Sequence, residues 1–172
     1  MKNRKTQQLT TAAIMAALIY IVIICLPVKI PLPAEGGAYF NLGDTLIYFA
    51  SYILGGVPAL FASAIGCGLA DLTLGSVIYI LPTVIIKACM ALICGRLTRS
   101  GNFKSYMLAC IISGGVMACG YAAFELVVFD WAYVAAAFPA NCLQWACGSA
   151  VGIALYKPAL KIRRHFHFRG ER

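Results

Sequence analysis

Charge is what this 172-residue chain lacks most: Asp, Glu, Lys and Arg together make up 12% of it, about half the usual share of a soluble domain. Acidic residues number 6 and histidines 2. There is too little polar side chain to clothe a water-exposed globule, so a soluble enzyme, a nucleic-acid-binding domain and a disordered tail are all excluded. No G-x-x-x-x-G-K-[ST] run is present, so the chain has no P-loop with which to hold ATP. No C-x-x-C pair and no Ser/His/Asp set occurs within an apolar stretch, and His165 and His167 stand in a basic tail. No catalytic residue, metal site or cofactor is therefore expected. No small-x-small cleavage site follows the first apolar run, which continues instead into Pro27-Val-Lys-Ile-Pro-Leu-Pro, so that run reads as a membrane span and not as a secretory signal.

What is present is apolar: 62% of the residues, with mean hydropathy +0.84. A spanning helix needs about 20 apolar residues, so a chain of this length holds about six. The expected spans are Leu9–Leu26, Leu42–Leu54, Pro58–Leu74, Pro82 to near Gly95, Tyr106–Val128, and a last one starting after Pro139 and reaching Tyr156. Residues 27–41, rich in Pro and Gly, read as a non-helical external loop, and 157–172 as a basic cytoplasmic tail. The expectation is one all-α domain over 1–172, a polytopic bundle of six transmembrane helices. Span 2, at thirteen residues, rises only about 20 Å. Either that helix begins near Tyr39, or the external loop dips into the protein over a cavity.

Charge placement orients the bundle. Twelve of the fourteen Lys and Arg fall on the side that holds both termini, the Gly55-Gly56-Val57-Pro58 turn and the 96–104 loop. That side is expected to be cytoplasmic. The net charge of +8 needs no partner beyond acidic lipid headgroups, and no nucleic acid is implied. The eight cysteines all lie in apolar stretches and read as small buried hydrophobes.

Four ionisable residues sit in or at the ends of spans: Asp44, Asp71, Lys87 and Glu125. Each costs about 2.5–3.5 kcal/mol at mid-membrane, so they must pair, lie near an interface or line a wet cavity. All four fall in the outer half. Asn141 and Gln144 lie about a turn apart on the last span, and Thr83 shares a face with Lys87. Asn41, Tyr79, Tyr121, Trp131 and Trp145 stand at the same level. An interfacial aromatic belt and an Asp71–Lys87 salt bridge are structural readings of these residues. Their convergence beneath a Pro/Gly-rich loop also describes a ligand site with a few placed polar groups. Two or three carboxylates against one lysine favour a neutral or weakly cationic heterocycle, unless Lys87 anchors a carboxylate. Small residues at four-residue spacing mark close helix packing: Ala12/Ala16 and Ala13/Ala17, Ala62/Gly66/Ala70, and Gly148/Gly152.

The runs Asn41-Leu-Gly-Asp44, Leu54-Gly-Gly, Gly66-Cys-Gly-Leu-Ala-Asp-Leu72, Pro82-Thr-Val-Ile-Ile-Lys87 and Pro139-Ala-Asn-Cys-Leu-Gln144 before Gly148 resemble, in order and spacing, the substrate-binding S component of energy-coupling factor (ECF) vitamin transporters. The resemblance covers nearly the whole chain. It implies a six-helix bacterial plasma-membrane protein that captures a vitamin or vitamin precursor from outside. It also implies a transmembrane coupling subunit and two cytoplasmic ATPases as partners, with docking on an A-x-x-x-A motif that Ala12, Ala13, Ala16 and Ala17 match twice over. A stand-alone proton-coupled carrier, with Glu125 or Asp71 titrating, and a membrane-embedded enzyme are the alternatives.

Overall fold

A computed structural model describes residues 2–29 and 39–168. Seven helices carry the described residues: α1 (Lys2–Cys25), α2 (Gly43–Leu54), α3 (Gly56–Leu74), α4 (Ile80–Leu97), α5 (Phe103–Val128), α6 (Trp131–Ala154) and α7 (Tyr156–Phe168). Two-residue strands β1 (Val28–Lys29) and β2 (Tyr39–Phe40) pair antiparallel, with Val28 opposite Phe40. They tie the ends of the Pro/Gly-rich loop together, and 30–38 lies outside the described residues. Among the described residues, four segments are long and apolar enough to cross a membrane: Lys5–Cys25, Gly56–Leu74, Val77–Ser100 and Phe103–Val128. The protein is thus an all-helical, multi-pass membrane protein. α2, with 12 residues, falls short of that length, and α6 is long enough but carries Pro139, Asn141 and Gln144.

Packing follows chain order around a centre. α1 lies on α3, α3 on α4, α4 on α5 and α5 on α6, while α2 touches α1, α3, α4, α5, α6 and α7. The central position explains why the shortest of the first six helices is the most enclosed, with nine of its twelve residues buried. Surrounded by protein, α2 has no need to be apolar, and Asp44, Thr45 and Ser51 sit within it. The outer surface is the reverse. Leu69, Leu81, Ile85, Leu126 and Val127 point away from the bundle, as lipid-facing side chains must.

Small residues set the helix spacing. A Cβ on Gly66 would lie 2.7 Å from the Ala16 carbonyl oxygen, so α1 and α3 touch backbone to side there. A Cβ on Gly95 would lie 2.5 Å from Gly56 Cα and N, which presses the end of α4 onto the start of α3. Gly55 alone joins α2 to α3, at φ +82°, a left-handed conformation that favours glycine.

Several sequence boundaries shift. Pro139 was expected to open the last span, yet α6 begins at Trp131, and the expected loop 130–138 is helical from its second residue. The cap explains it: Asp130 Oδ1 accepts from Tyr133 N at 2.7 Å, a helix start that outweighs the later proline. α3 starts at Gly56, with Pro58 in its first turn, where a missing N–H costs nothing. The expected loops 75–81 and 96–104 shrink, because short 3₁₀ turns at Val77–Tyr79 and Thr98–Ser100 run directly from or into α4. The basic tail is α7 as far as Phe168, and it buries Ala159 against the bundle. Cysteines divide by face: Cys67, Cys94 and Cys110 are buried, while Cys25, Cys89 and Cys119 are exposed and so lie on the lipid side.

Candidate functional site

The depth of α2 decides where polar groups can gather. Its helix begins at Gly43 and not near Tyr39, so the chain enters the bundle in non-helical form at Asn41 and Leu42. A backbone N–H there needs a partner. Asn41 N donates to Gln144 Oε1 at 3.0 Å, and Asn41 Oδ1 accepts from Gly43 N at 2.8 Å. Of the two options the earlier helix start is not found, and 30–38 of the loop lies outside the described residues. Gln144 then turns its amide nitrogen to Asp44 Oδ2 at 2.8 Å. Asp44 Oδ1 takes the ammonium of Lys87 on α4. Lys87 therefore has Asp44 as its ion-pair partner, where the sequence had suggested Asp71. Both members are essentially enclosed, at 0% and 2% exposure. One chain of contacts runs Asn41–Gln144–Asp44–Lys87 and ties the loop, α6, α2 and α4 together.

Directly above this network lies a cavity lined by Ile23, Asn41, Cys67, Asp71, Ser76, Tyr79, Thr83, Lys87, Tyr121, Glu125, Asn141 and Gln144. Its lining comes from α1, α3, α4, α5 and α6 and from the two connections at Asn41 and 76–79. Most of the lining residues carry a polar group. Tyr79 Oη donates to Glu125 Oε1 at 3.3 Å and lies 2.9 Å from Tyr133 Oη. Thr83 Oγ1 and Tyr121 Oη are 2.9 Å apart. The Lys87 ammonium stands 5.4 Å from the centre of the Tyr121 ring. Glu125 and Asn141 are neighbours, yet Glu125 Oε2 and Asn141 Nδ2 are buried without a partner in hydrogen-bond geometry among the described residues. A carboxylate acceptor and an amide donor side by side but poorly aligned are incompletely satisfied, which is costly in a buried place. The cavity volume is about 30 Å³, room for a water or so and far below the roughly 300–1,000 Å³ of a small-molecule site.

Nine of the twelve residues singled out from the sequence line this cavity: Asn41, Asp71, Tyr79, Thr83, Lys87, Tyr121, Glu125, Asn141 and Gln144. Asp44 lies just beneath, bonded to two of them. Trp131 and Trp145 stand elsewhere. Trp131 is 71% exposed on the first turn of α6 and belongs to the aromatic rim. Trp145 packs against Gly114 and Gly115 on α5 and donates from Nε1 to Ile111 O at 2.8 Å. It faces the neighbouring helix because it follows Gln144 by one position, a turn of about 100°. Ser76 and Cys67 join the lining unforeseen, and Tyr133 joins through Tyr79. Ser76 sits in a turn with no periodicity to read, and Cys67 looked like packing. Tyr133 could have been found, since it lies on the same helix two turns before Asn141.

The two alanine pairs of α1 part company. Ala12 is buried and Ala16 meets Gly66, whereas Ala13 and Ala17 are exposed. With Ile14, Leu18 and Ile21 beside them, Ala13 and Ala17 form a shallow apolar stripe on the outside.

Among the described residues no cluster of His, Cys, Asp or Glu could hold a metal ion. Comparison with known proteins gives two matches to report. The family model described as "ECF-type riboflavin transporter, S component" matches residues 3–161. An uncharacterized protein from Pyrococcus woesei, named only for its position in the gap 3' region, is 30% identical over 126 residues, which is 73% of this chain and 84% of that protein.

Proposed function

The chain belongs to the family of ECF-type riboflavin transporter S components, and from that membership we propose that it captures riboflavin or a closely related heterocyclic vitamin in the cavity above α2. As a member it is a membrane-embedded, vitamin-binding transport subunit and not an enzyme. The observation that supports the substrate reading is the adjacent, incompletely satisfied pair Glu125 Oε2 and Asn141 Nδ2, in one cavity with three tyrosine and threonine hydroxyls. A carboxylate acceptor beside an amide donor suits a heterocycle that presents N–H next to C=O. The phenol rings of Tyr79 and Tyr121 supply flat apolar faces for its ring system. The Asp44–Lys87 pair neutralises itself, which leaves Asp71 and Glu125 to set the charge preference against an anionic ligand.

In this reading the first six helices, α1 to α6, complete six crossings, and both termini are cytoplasmic under the positive-inside rule. The cavity opens outward. Having no P-loop, the subunit draws its energy from an ATPase pair through a transmembrane coupling subunit, which docks on Ala13 and Ala17. Ala16 faces Gly66 of α3 and Ala12 is buried, so that pair serves the fold.

The test is flavin titration of the purified full chain, read by quenching of flavin emission, together with mass spectrometry of any small molecule that co-purifies. Expected are saturable binding at one site per chain and a loss of at least about tenfold in affinity for Asn141→Leu, the effect of one buried hydrogen bond to a polar ligand. Absence of flavin binding together with a co-purifying anionic metabolite would overturn the substrate assignment. Uptake in cells lacking the ATPase pair would instead support the proton-coupled carrier.

A further inference from the structure

The end of the bundle opposite the vitamin cavity holds a second, larger hollow of about 370 Å³. Along α2, Asp44 and Leu54 are ten residues apart, so the two spaces are separated by about 15 Å. Three guanidinium-bearing residues line the hollow: Arg96 at the end of α4, Arg99 in the following turn and Arg163 on α7. Among the described residues, no Asp or Glu is in its lining. Gathering like charges around one space is unfavourable unless a counter-charge enters it.

Three features make this more than a basic rim. The guanidinium of Arg163 is fixed: Nη1 donates to Thr98 O at 2.9 Å, Nη2 to Arg99 O at 3.3 Å, and the group lies 4.5 Å from the Tyr52 ring centre. Its charge is thereby held in place by carbonyls and a ring, with no carboxylate in the described lining to meet it. The start of the 19-residue helix α3, at Gly56 and Val57, also forms part of the lining. There the first N–H groups have no partner within the helix, and the helix dipole adds positive potential. Finally, Ser51 lines the hollow at 1% exposure, with its hydroxyl beside the Cys94 thiol. Two exposed arginine side chains, a helix start, a fixed third arginine and a nearby hydroxyl are the donor set of an oxyanion site.

We propose that this hollow is a binding site for a phosphate group, carried by an anionic lipid headgroup or by a free phosphate compound. Its width and its mixed lining, with Ile53, Leu54, Val57 and Leu92 among the polar groups, leave space for more than the phosphate itself.

The test uses the full chain in phosphatidylcholine nanodiscs. One arm titrates inorganic phosphate and pyrophosphate calorimetrically; the other adds phosphatidylglycerol and reads retained lipid by native mass spectrometry. Arg96→Gln/Arg99→Gln removes two exposed charges and should weaken the binding probe by about tenfold or more, with Ser51→Ala giving a smaller loss. Lys157→Gln/Lys161→Gln removes the same charge from exposed α7 positions outside the hollow and should leave binding within about twofold. Retention in the lipid arm alone assigns the phosphate to a headgroup, and competition by inorganic phosphate assigns it to a soluble compound. If neither probe binds, or if the lysine variant weakens binding as much as the arginine variant, the site does not exist and the basic groups are a diffuse interfacial charge. Flavin titration and melting of each variant report separately on the outer cavity and on folding.

Discussion

The Asp44–Lys87 pair offers the sharpest test of how this fold holds charge inside a membrane. Both side chains are enclosed, and Asp44 keeps one further donor, Gln144 Nε2 at 2.8 Å. Removing one member of a buried pair strands the other and costs about 3–5 kcal/mol. Removing both in favour of neutral groups of similar shape costs little, because two desolvation penalties disappear with the attraction. Lys87→Met and Asp44→Asn should therefore each lower the melting temperature by about 10–15 °C, at about 3 °C per kcal/mol for a chain of this size. The double variant, in which the amide introduced at position 44 still meets Gln144, should fall by no more than about 5 °C. The coupling in the double-mutant cycle then exceeds about 3 kcal/mol, at the upper end for contacting residues. Thermal unfolding in detergent micelles, followed by circular dichroism at fixed pH and salt, measures all four corners. A double variant whose loss equals the sum of the single losses would refute the pair as a unit. Single losses under about 1 kcal/mol would show that water reaches both groups.

Other consequences are equally concrete. Glu125→Gln keeps an oxygen that can accept from Tyr79 and changes Oε2, which has no partner in hydrogen-bond geometry among the described residues, so it should lower the melting temperature of the ligand-free protein by no more than about 1 kcal/mol equivalent while weakening flavin binding about tenfold or more; a larger loss of stability would show that the carboxylate is already fully satisfied. Ala17→Trp should abolish uptake in cells and spare flavin binding by the purified subunit, because Ala17 is exposed, whereas Gly66→Val should impair folding itself, since its Cβ meets the Ala16 carbonyl. Asp130→Ala should cost about 1 kcal/mol through loss of the α6 cap, seen as a small drop in melting temperature. Gly95→Ala should shift melting further, by about 1–3 kcal/mol, because the colliding atoms belong to the Gly56 backbone and cannot turn aside.

Much of the site was legible because the membrane makes polarity expensive. In a soluble chain Asp44, Asp71, Lys87 and Glu125 would pass unnoticed; in lipid each demands an explanation, and the four share a depth. Helical spacing then adds Asn141, Gln144 and Thr83. What could not be read was pairing across helices. The choice of Asp44 over Asp71 for Lys87 depends on α2 being the central helix, and nothing in a linear sequence says which span is enclosed. The same ignorance promoted Trp145, whose neighbour Gln144 points inward while the indole turns onto α5. Trp131 shows the limit of depth alone: it stands at the right level on the wrong face. Local chemistry misled at Pro139, where a strong helix-breaking residue lost to the Asp130 cap earlier in the chain. On α1 the repeated alanines were visible and their faces were not. Only the approach of Gly66 to Ala16 separates the pair that builds the fold from the pair left outside.

The shortness of α2 also accounts for the existence of the cavity. Twelve residues rise about 18 Å, and hydrocarbon is about 30 Å thick. A ring of longer helices around a short centre leaves a column about 12 Å tall and one helix wide, roughly 900 Å³, above the first residue of α2. That is the size of a small-molecule site. Only about 30 Å³ of it is open, because side chains from the surrounding helices lean in and Asn41 closes the base. Binding a vitamin therefore requires that these side chains move outward, and the ties differ in strength. The floor, Asn41–Gln144–Asp44–Lys87, joins four elements through a buried ion pair and amide bonds. The described ends of the Pro/Gly-rich loop are tied by a two-residue strand pair, which is marginal on its own. The ion-paired floor is thus the firmer of the two ties, and the two-residue strand pair the weaker. A subunit built in this way can exchange ligand without loosening the apolar exterior by which it rests in lipid.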